Sequence, residues 1–289
     1  MPKTSKRAIQ APPTDSLDYG RKRSQWRDVL HRLTRNKLAM LGLVIVLVLV
    51  LAAVFADFVA PYDPDVQDYT NMKAYPSFAH PLGTDDVGRD TLSRIIYGGR
   101  VSLLVSILSI VFGLVVGGII GVSAGYFGGV YDGVIMRVMD VIMAIPGFLL
   151  AVCISSALGQ GIFNTALAIG IGCVPGYARL LRALVLGIRD QEYVEAARVT
   201  GASNARIMFR QIVPNILSPV IVDSTLRIGG CILMISSLSF IGLGVQPPTA
   251  EWGSMVAEGR EVIRSFWPMS TFPGLAIMLT LFGFNLFGD

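Results

Sequence analysis

Residues 191–214 read QEYVEAARVTGASNARIMFRQIVP and form a polar connection between two long apolar segments. The first part predicts a helix in which one aromatic and three small residues share a face, because they recur at spacings of three and four: Tyr193, Ala196, Ala197 and Thr200. The other face is charged, and Glu195 is spaced to pair with Arg198 one turn later. Gly201 is predicted to end the helix as a left-handed C-terminal cap.

A second short helix is predicted over residues 204–211, capped by Ser203 or Asn204. Pro214 is then expected to turn the chain into the next apolar segment. The small-residue face of the first helix fits a groove on a partner protein, as in helix-in-groove recognition. A helix lying on lipid is the alternative, but such a helix buries large apolar residues, and alanine and threonine are too small for that role.

The apolar segments predict an all-α membrane protein. A helix needs about 20 predominantly apolar residues to cross the hydrocarbon core of a bilayer. Six stretches qualify, and we predict one transmembrane helix for each: residues 38–56, 101–131, 141–158, 163–178, 228–245 and 269–287. The first is predicted to be a retained anchor, because the stretch and the tail before it are longer than those of a secretory signal.

The charge distribution predicts the orientation. Only 15% of the 289 residues are charged, whereas soluble chains average about 25%. The formal net charge of the chain is +4. Residues 1–37 hold ten Lys and Arg against three Asp and so carry +7, whereas the rest of the chain carries −3. Basic residues also concentrate in residues 179–210, and such clusters mark the cytoplasmic side. We therefore expect both termini in the cytoplasm, and no nucleic acid as a partner.

Several chemistries are excluded by what the sequence lacks. His31 and His80 are the only histidines and lie far apart, so no histidine-based metal site is predicted. The three cysteines all fall in predicted spans and are interpreted as small buried apolar residues. No lysine follows Lys73, so a G-x-x-x-x-G-K-[ST] phosphate loop is absent. If ATP powers this protein, another polypeptide binds it.

Four glycines recur at every fourth residue of the second predicted span and share one helix face: Gly113, Gly117, Gly121 and Gly125. Such a face lets a neighbouring backbone approach closely. We therefore predict tight helix packing there, and a sliding surface for gating is the alternative.

Three ordered motifs carry a family resemblance. Glu195-Ala196-Ala197, then Gly201, then residues 212–214 resemble the EAA motif of the permease subunits of ABC importers, with Val213 at a position where leucine is usual. Residues 82–90 with Ser93-Arg94 resemble the segment that opens the permease domain of dipeptide, oligopeptide and nickel importers. Residues 242–248 with 251–253 are similar to an external loop of the same subfamily.

The resemblance implies a type I ABC importer permease fold (MetI-like) with six transmembrane helices. The organisation would be a basic cytoplasmic tail (1–37), an anchor helix (38–60), a periplasmic segment (61–100) and a five-helix permease core (101–289). A coupling helix at about residues 191–211 would dock on an ATPase through these residues: Tyr193, Glu195, Ala196, Ala197, Thr200, Gly201 and Ala202.

The resemblance also implies partners and a location. The chain would be a pore-forming, non-enzymatic subunit of the bacterial inner membrane, in contact with lipid and with a homologous second permease, two ATPase subunits and a periplasmic substrate-binding protein. ATP and magnesium would be bound by the ATPase subunits, and this chain would bind no cofactor or metal. The expected cargo is a dipeptide or oligopeptide, or a related solute such as a nickel complex or glutathione.

Charges inside the spans leave alternatives open, because an intramembrane ionisable side chain is a functional hypothesis by default. Asp223 with Arg227, and Arg137 with Asp140, are each spaced to pair on one helix face. Pairing gives them a structural role; otherwise they line the translocation path and meet the charged ends of a peptide. An ion-driven secondary transporter would use Asp140 or Asp223 as its ion site, but it would not need the loop at 191–211.

Overall fold

A computed structural model describes residues 36–288, and within that range the chain is helical and forms no β-strand. The helices, numbered in chain order, are α1 (Lys37–Val54), α2 (Ala56–Val59), α3 (Thr91–Phe127), α4 (Gly129–Met143), α5 (Gly147–Leu158), α6 (Ile162–Ile188), α7 (Glu192–Val199), α8 (Asn204–Ile207), α9 (Val213–Phe240), α10 (Trp252–Arg260) and α11 (Pro268–Gly288). A π-helical turn, Met208–Ile212, joins α8 to α9.

Five helices of the described range are long and apolar enough to cross a membrane: α1, α3, α6, the joined α8–α9 and α11. Helices α4 and α5 provide a sixth crossing when they are counted together, but they are bent by 83°. The predicted continuous span at 141–158 is therefore wrong. Pro146 explains the break, because proline lacks an N–H group and disfavours the helical conformation of the residue before it.

Three helices, α3, α6 and α9, extend well beyond the predicted spans. Helix α3 begins at Thr91, well before residue 101, and α6 runs to Ile188, so the first part of the predicted loop after residue 178 is helical. Leu181 and Val185 explain the extension of α6, because both are buried in the same apolar cluster as residues of α3. Burying them stabilises the additional turns of the helix.

The connection into α9 also differs from the prediction. The expected helix end near Gln211 and the turn at Pro214 are wrong, because the helix continues from Asn204 to Phe240. Pro214 is the second residue of α9, and its missing N–H group leaves one carbonyl of the preceding turn without a helical partner. The π-helical turn precedes it, and the Val213 N–H donates to the Met208 carbonyl.

Helices α3 and α6 pack side by side at the centre of the fold. The four glycines of α3 lie on the face toward α6, where there is no space for a side chain. A Cβ at Gly113 would lie 2.6 Å from Cys173 Cβ, and a Cβ at Gly117 would lie 2.5 Å from the Val174 carbonyl oxygen. The sequence spacing thus produces close backbone packing of two long helices.

Helix α1 is attached at both ends. Gly42 lies against the α11 backbone, where a Cβ would come within 2.8 Å of the Gly283 carbonyl oxygen. At the other end, Arg100 of α3 donates to the Ala53 carbonyl at 2.6 Å and pairs with Asp57 at 2.8 Å. The hydrogen bonds that Arg100 and Tyr97 donate to Asp57 lower the pKa of its carboxyl below the usual value. One end of the bundle carries the short helix α7 and the other carries the short helix α10; we call them the α7 end and the α10 end.

Candidate functional site

Helix α7 has a well-defined end at the α7 end of the bundle. Gly201 adopts a left-handed conformation with φ of +79°. The Gly201 N–H donates to the Arg198 carbonyl and the Ala202 N–H donates to the Ala197 carbonyl, each at 3.1 Å. This pattern is a Schellman cap. Ser203 then caps α8, its hydroxyl accepting from the Arg206 N–H at 3.4 Å, so of the two predicted caps Ser203 is the one used.

The small-residue face of α7 borders an open groove of about 520 Å³. Of the seven residues predicted to contact an ATPase, all except Glu195 line it, and Arg206 and Gln211 complete it: Tyr193, Ala196, Ala197, Thr200, Gly201, Ala202, Arg206 and Gln211. Glu195 lies exposed outside the lining. We call this surface the α7 groove. Half of its eight lining residues are alanine or glycine, which leaves room for a side chain of another protein.

Helix α7 is fixed to the bundle on its opposite side. Val194 is fully buried, as are Ile207 and Ile212 in the segment that follows. The Tyr126 hydroxyl, at the end of α3, donates to Asn204 Oδ1 at 3.0 Å. The α7 groove is therefore attached directly to the long central helix α3.

Arg198 does not form the predicted pair with Glu195. Its guanidinium carbon lies over the Tyr126 ring, 5.9 Å from the ring centroid. A ring face attracts a guanidinium through its quadrupole, and here that contact connects α7 to α3.

Ion pairs connect α4 to α6, and one differs from the prediction. Asp140 pairs with Arg179 at 2.7 Å and not with Arg137. Arg137 forms no ion pair within residues 36–288. The predicted pairing assumed that both partners lie on one helix, whereas α4 packs against α6 and brings a closer guanidinium from another helix.

A second pair between the same helices was not predicted. Asp132 accepts two hydrogen bonds from Arg182, at 2.5 Å and 2.6 Å. Both residues were visible in the sequence as charges beside predicted spans. The two residues are fifty positions apart in the sequence, and sequence spacing predicts pairs only between neighbours on the same helix. The pair could therefore not be predicted.

Asp223 and Arg227 form the pair that their spacing predicts. The Arg227 guanidinium donates to both carboxylate oxygens of Asp223, through Nε and Nη2. Arg227 also lies over the Tyr177 ring of α6, 4.9 Å from its centroid, and the Tyr177 hydroxyl donates to Ser224 Oγ at 2.9 Å. This charged group lies near the middle of α9 and is oriented from both α9 and α6.

The sequence and geometry together match one known family. The profile of the binding-protein-dependent transport system inner membrane component matches residues 113–289, which include the α7 groove. The chain belongs to this family of ABC importer permeases. A second profile, the N-terminal transmembrane domain of oligopeptide transport permease C, matches residues 24–81 of the permease, which include α1.

Full-length relatives support the assignment. The permease is 51% identical over 265 residues to the dipeptide transport system permease protein DppC of Escherichia coli (strain K12), covering 90% of this chain and 88% of that protein. It is 42% identical over 270 residues to the di/tripeptide transport system permease protein DppC of Pseudomonas aeruginosa (strain UCBPP-PA14), covering 91% and 88%. It is 43% identical over 268 residues to the glutathione transport system permease protein GsiD of Shigella flexneri serotype 5b (strain 8401), covering 92% and 88%.

Two solved structures share the fold of the permease. The MetNI methionine ABC transporter in an inward-facing conformation matches with a TM-score of 0.54 at 19% identity, covering 67% of this chain and 93% of that chain. An amino acid ABC transporter with histidines matches with a TM-score of 0.50 at 17% identity, covering 67% and 90%. These likenesses show the MetI-like fold that the sequence motifs implied.

The other two sequence motifs of the permease meet at the α10 end. Trp252 is buried, and its indole Nε1 donates to the Ile95 carbonyl of α3 at 2.8 Å. Glu251 is fully buried and accepts from Ser102 Oγ at 3.0 Å and from the Ser254 N–H at 2.9 Å. These residues hold α10 against the first turns of α3.

The segment before α3 contributes a buried charge cluster at the same end. Arg89 pairs with Asp85 at 2.5 Å and lies 3.6 Å from Glu258 of α10. Arg94 is 1% exposed at its side chain and lies 3.6 Å from Asp85 and 3.9 Å from Glu258. Burial raises the pKa of the Glu258 carboxyl above its usual value, although both arginines oppose that shift. The motif at 82–90 therefore has a clear packing role, which sequence alone did not reveal.

Proposed function

We propose that this permease forms part of the pore of an ATP-driven importer for dipeptides or oligopeptides, or for a related solute such as glutathione or a nickel complex. The observation that carries the proposal is the 51% identity, over nine-tenths of the chain, to a protein named for dipeptide transport. The names of the di/tripeptide and glutathione permeases support the same chemical class of cargo.

The α7 groove is the proposed contact with the ATPase. Tyr193 at one end and Gly201 at the other border a surface of small side chains that an apolar or aromatic side chain of the ATPase can enter. Val194 fixes the other side of α7 to the bundle. Closure of the ATPase subunits would move α7, and the bundle would change between inward-facing and outward-facing states.

The proposed complex contains a homologous second permease, two ATPase subunits and a periplasmic substrate-binding protein. A single coupling helix contacts a single ATPase, so two permease subunits are required. ATP and magnesium would be bound by the ATPase subunits, and this chain would bind no cofactor and catalyse no reaction. The proposed site is the bacterial inner membrane, with both termini in the cytoplasm as the basic tail and residues 179–210 indicate.

The comparisons give no support to an ion-driven secondary transporter. Asp223, one of its two proposed ion sites, is engaged by Arg227, and Asp140, the other, is engaged by Arg179. An aspartate that is neutralised by a guanidinium is a poor site for a proton or a sodium ion, because the arginine already supplies the countercharge.

Purification and uptake test the proposed function. The permease, solubilised from its own membrane, is expected to co-purify with ATPase subunits, and proteoliposomes of that complex are expected to take up a dipeptide only with ATP and binding protein. The proposal fails if no ATPase accompanies the permease and a proton gradient alone drives uptake.

A further inference from the structure

A cavity of about 270 Å³ lies between α5, α6 and α9 and is distinct from the α7 groove. Its lining is mostly glycine and apolar side chains, and the glycines are Gly147, Gly172 and Gly230. The lining also contains the guanidinium of Arg227 and the thiols of Cys173 and Cys231. Arg227 lies near the middle of the membrane-spanning helix α9. A charged side chain that borders a cavity at this depth is unusual and points to a function.

Three glycines of the lining border open space. A Cβ at Gly147, Gly172 or Gly230 would meet no heavy atom within 4 Å. This open space contrasts with the glycines of α3, whose missing side chains make room for a neighbouring helix. Glycine in the interior of a helix costs about 1 kcal/mol relative to alanine, and here two helices contribute such a residue without gaining a packing contact.

The Arg227 guanidinium is held in position and still has N–H groups that are not used in hydrogen bonds within the described residues. Nε and Nη2 donate to Asp223, whereas Nη1 has no hydrogen-bond partner among residues 36–288. The Tyr177 ring supports the guanidinium from α6, and Gly176 leaves room for it, because a Cβ there would lie 3.1 Å from Nη1. A planar guanidinium with free N–H groups is the side chain best matched to a carboxylate.

Stability does not account for this arrangement. An ion pair that is partly exposed contributes little to stability. The Asp223 and Arg227 side chains are partly exposed, at 29% and 34%, so the pair is open on one side. Asp223 supplies the countercharge of Arg227, but the guanidinium is oriented and accessible, and its free N–H groups can still donate to an anion.

We propose that this cavity is a translocation subsite in which Arg227 receives a carboxylate of the transported solute while the three glycines leave room for the atoms beside it. The inference rests on the proposed function and adds to it a specific contact inside the membrane. The cavity is smaller than the roughly 300–1,000 Å³ of sites that enclose a drug-sized ligand. It therefore fits the end group of a peptide better than a whole peptide.

Two variants with one matched control test the subsite in the complete importer. The double substitution Asp223→Asn with Arg227→Gln removes the cation without leaving an unpaired charge. Gly230→Leu fills the cavity and keeps the ion pair. Gly274→Leu is the control, because Gly274 lies in the membrane-spanning helix α11 with the same open space at its Cβ position but away from the cavity.

Uptake selectivity is the first readout. Proteoliposomes receive binding protein loaded to equal occupancy with a dipeptide or with its C-terminal amide. The wild-type importer is expected to favour the free acid, and the double variant to lose about tenfold of that preference, since hydrogen bonds to charged groups contribute about 1.5–3 kcal/mol. Gly230→Leu is expected to slow uptake of the free acid severalfold, and Gly274→Leu to leave it unchanged. Equal losses for acid and amide in the double variant, or wild-type uptake by Gly230→Leu, would overturn the subsite.

Native thiols provide a second readout that needs no transport. In a Cys153→Ala background, Cys173 and Cys231 are the only cysteines and both line the cavity. Relative to their rates with a free thiol in solution, a small anionic methanethiosulfonate reagent is expected to label them faster than a cationic reagent of similar size, and the double variant to lose this preference. An equal rate for both reagents, or no labelling by either, contradicts the subsite. Failure of the wild type to import any peptide would instead contradict the proposed function.

Discussion

The Tyr126 hydroxyl donates a 3.0 Å hydrogen bond to Asn204 Oδ1, and this bond connects the end of α3 to the segment that follows α7. Arg198 of α7 lies over the same tyrosine ring. Tyr126 thus touches the elements on both sides of the Gly201 cap. Because α3 also packs on α6, the proposed movement of α7 would reach the two central helices through Tyr126.

Tyr126→Phe is expected to weaken coupling without unfolding the permease. The substitution removes the hydroxyl but keeps the ring beneath Arg198. One hydrogen bond contributes about 0.5–1.5 kcal/mol, so solute imported per ATP hydrolysed should fall roughly two- to tenfold while the melting temperature changes little. Tyr131→Phe is the control, because within residues 36–288 its hydroxyl bonds to Ser123, at 3.2 Å, and not to α7. Identical uptake per ATP in the two variants would show that Tyr126 does not transmit the movement.

Gly121→Ala is expected to destabilise the contact between α3 and α6. A Cβ at Gly121 would collide with the backbone of Ala178, and backbone cannot move aside as a flexible side chain does. Overpacking of this kind costs about 1–3 kcal/mol. Thermal unfolding in detergent should therefore begin at a lower temperature than for the wild type.

Gly118→Ala provides the control for that measurement. Its Cβ would lie 3.6 Å from Leu181 Cδ1, an ordinary van der Waals distance. Since alanine favours the helix by about 1 kcal/mol over glycine, this variant should be at least as stable as the wild type. A Gly121→Ala protein as stable as Gly118→Ala would contradict the packing role of the glycine face.

The charge cluster at the α10 end predicts a pH dependence of stability. Burial raises the folded-state pKa of Glu258 above its usual 4.5. An acid whose pKa is raised by folding contributes stability that is fully present below pH 4.5 and is lost as the pH rises through the folded-state pKa. Glu258→Gln cannot lose its proton, so its melting temperature should decline less than that of the wild type as the pH is raised from 4.5 to about 8.

Glu261→Gln is the matched control, because Glu261 lies exposed next to the end of α10. It should show the pH dependence of the wild type. If Glu258→Gln follows the wild-type curve as well, then Glu258 does not titrate differently in the folded permease.

The features predicted correctly from the sequence are local in the chain. The Gly201 cap, the shared face of α7 and the pairing of Asp223 with Arg227 all depend on residues within a few positions of one another. Helical periodicity and cap chemistry determine such relationships directly.

The features that were missed depend on which helices become neighbours. Asp140 was assigned to Arg137, but the fold brings Arg179 of α6 to it. The sequence predicts a helix end near Gln211 and a turn at Pro214, whereas the chain stays helical there through the π-helical turn, with Ile212 buried. In both cases tertiary packing decided between local alternatives that the sequence pattern presents as nearly equal.

The most direct test of the central claim, that the α7 groove couples an ATPase to transport, is uptake by reconstituted importer carrying Ala196→Trp. The indole would fill the groove, whereas Val199→Trp places the same side chain on an exposed position of α7 that does not line it. We predict that Ala196→Trp inserts normally into the membrane but loses at least about tenfold of its ATP-driven uptake, the equivalent of one contact of about 1.4 kcal/mol, while Val199→Trp retains its uptake. Wild-type uptake and wild-type ATP consumption by Ala196→Trp would contradict the account.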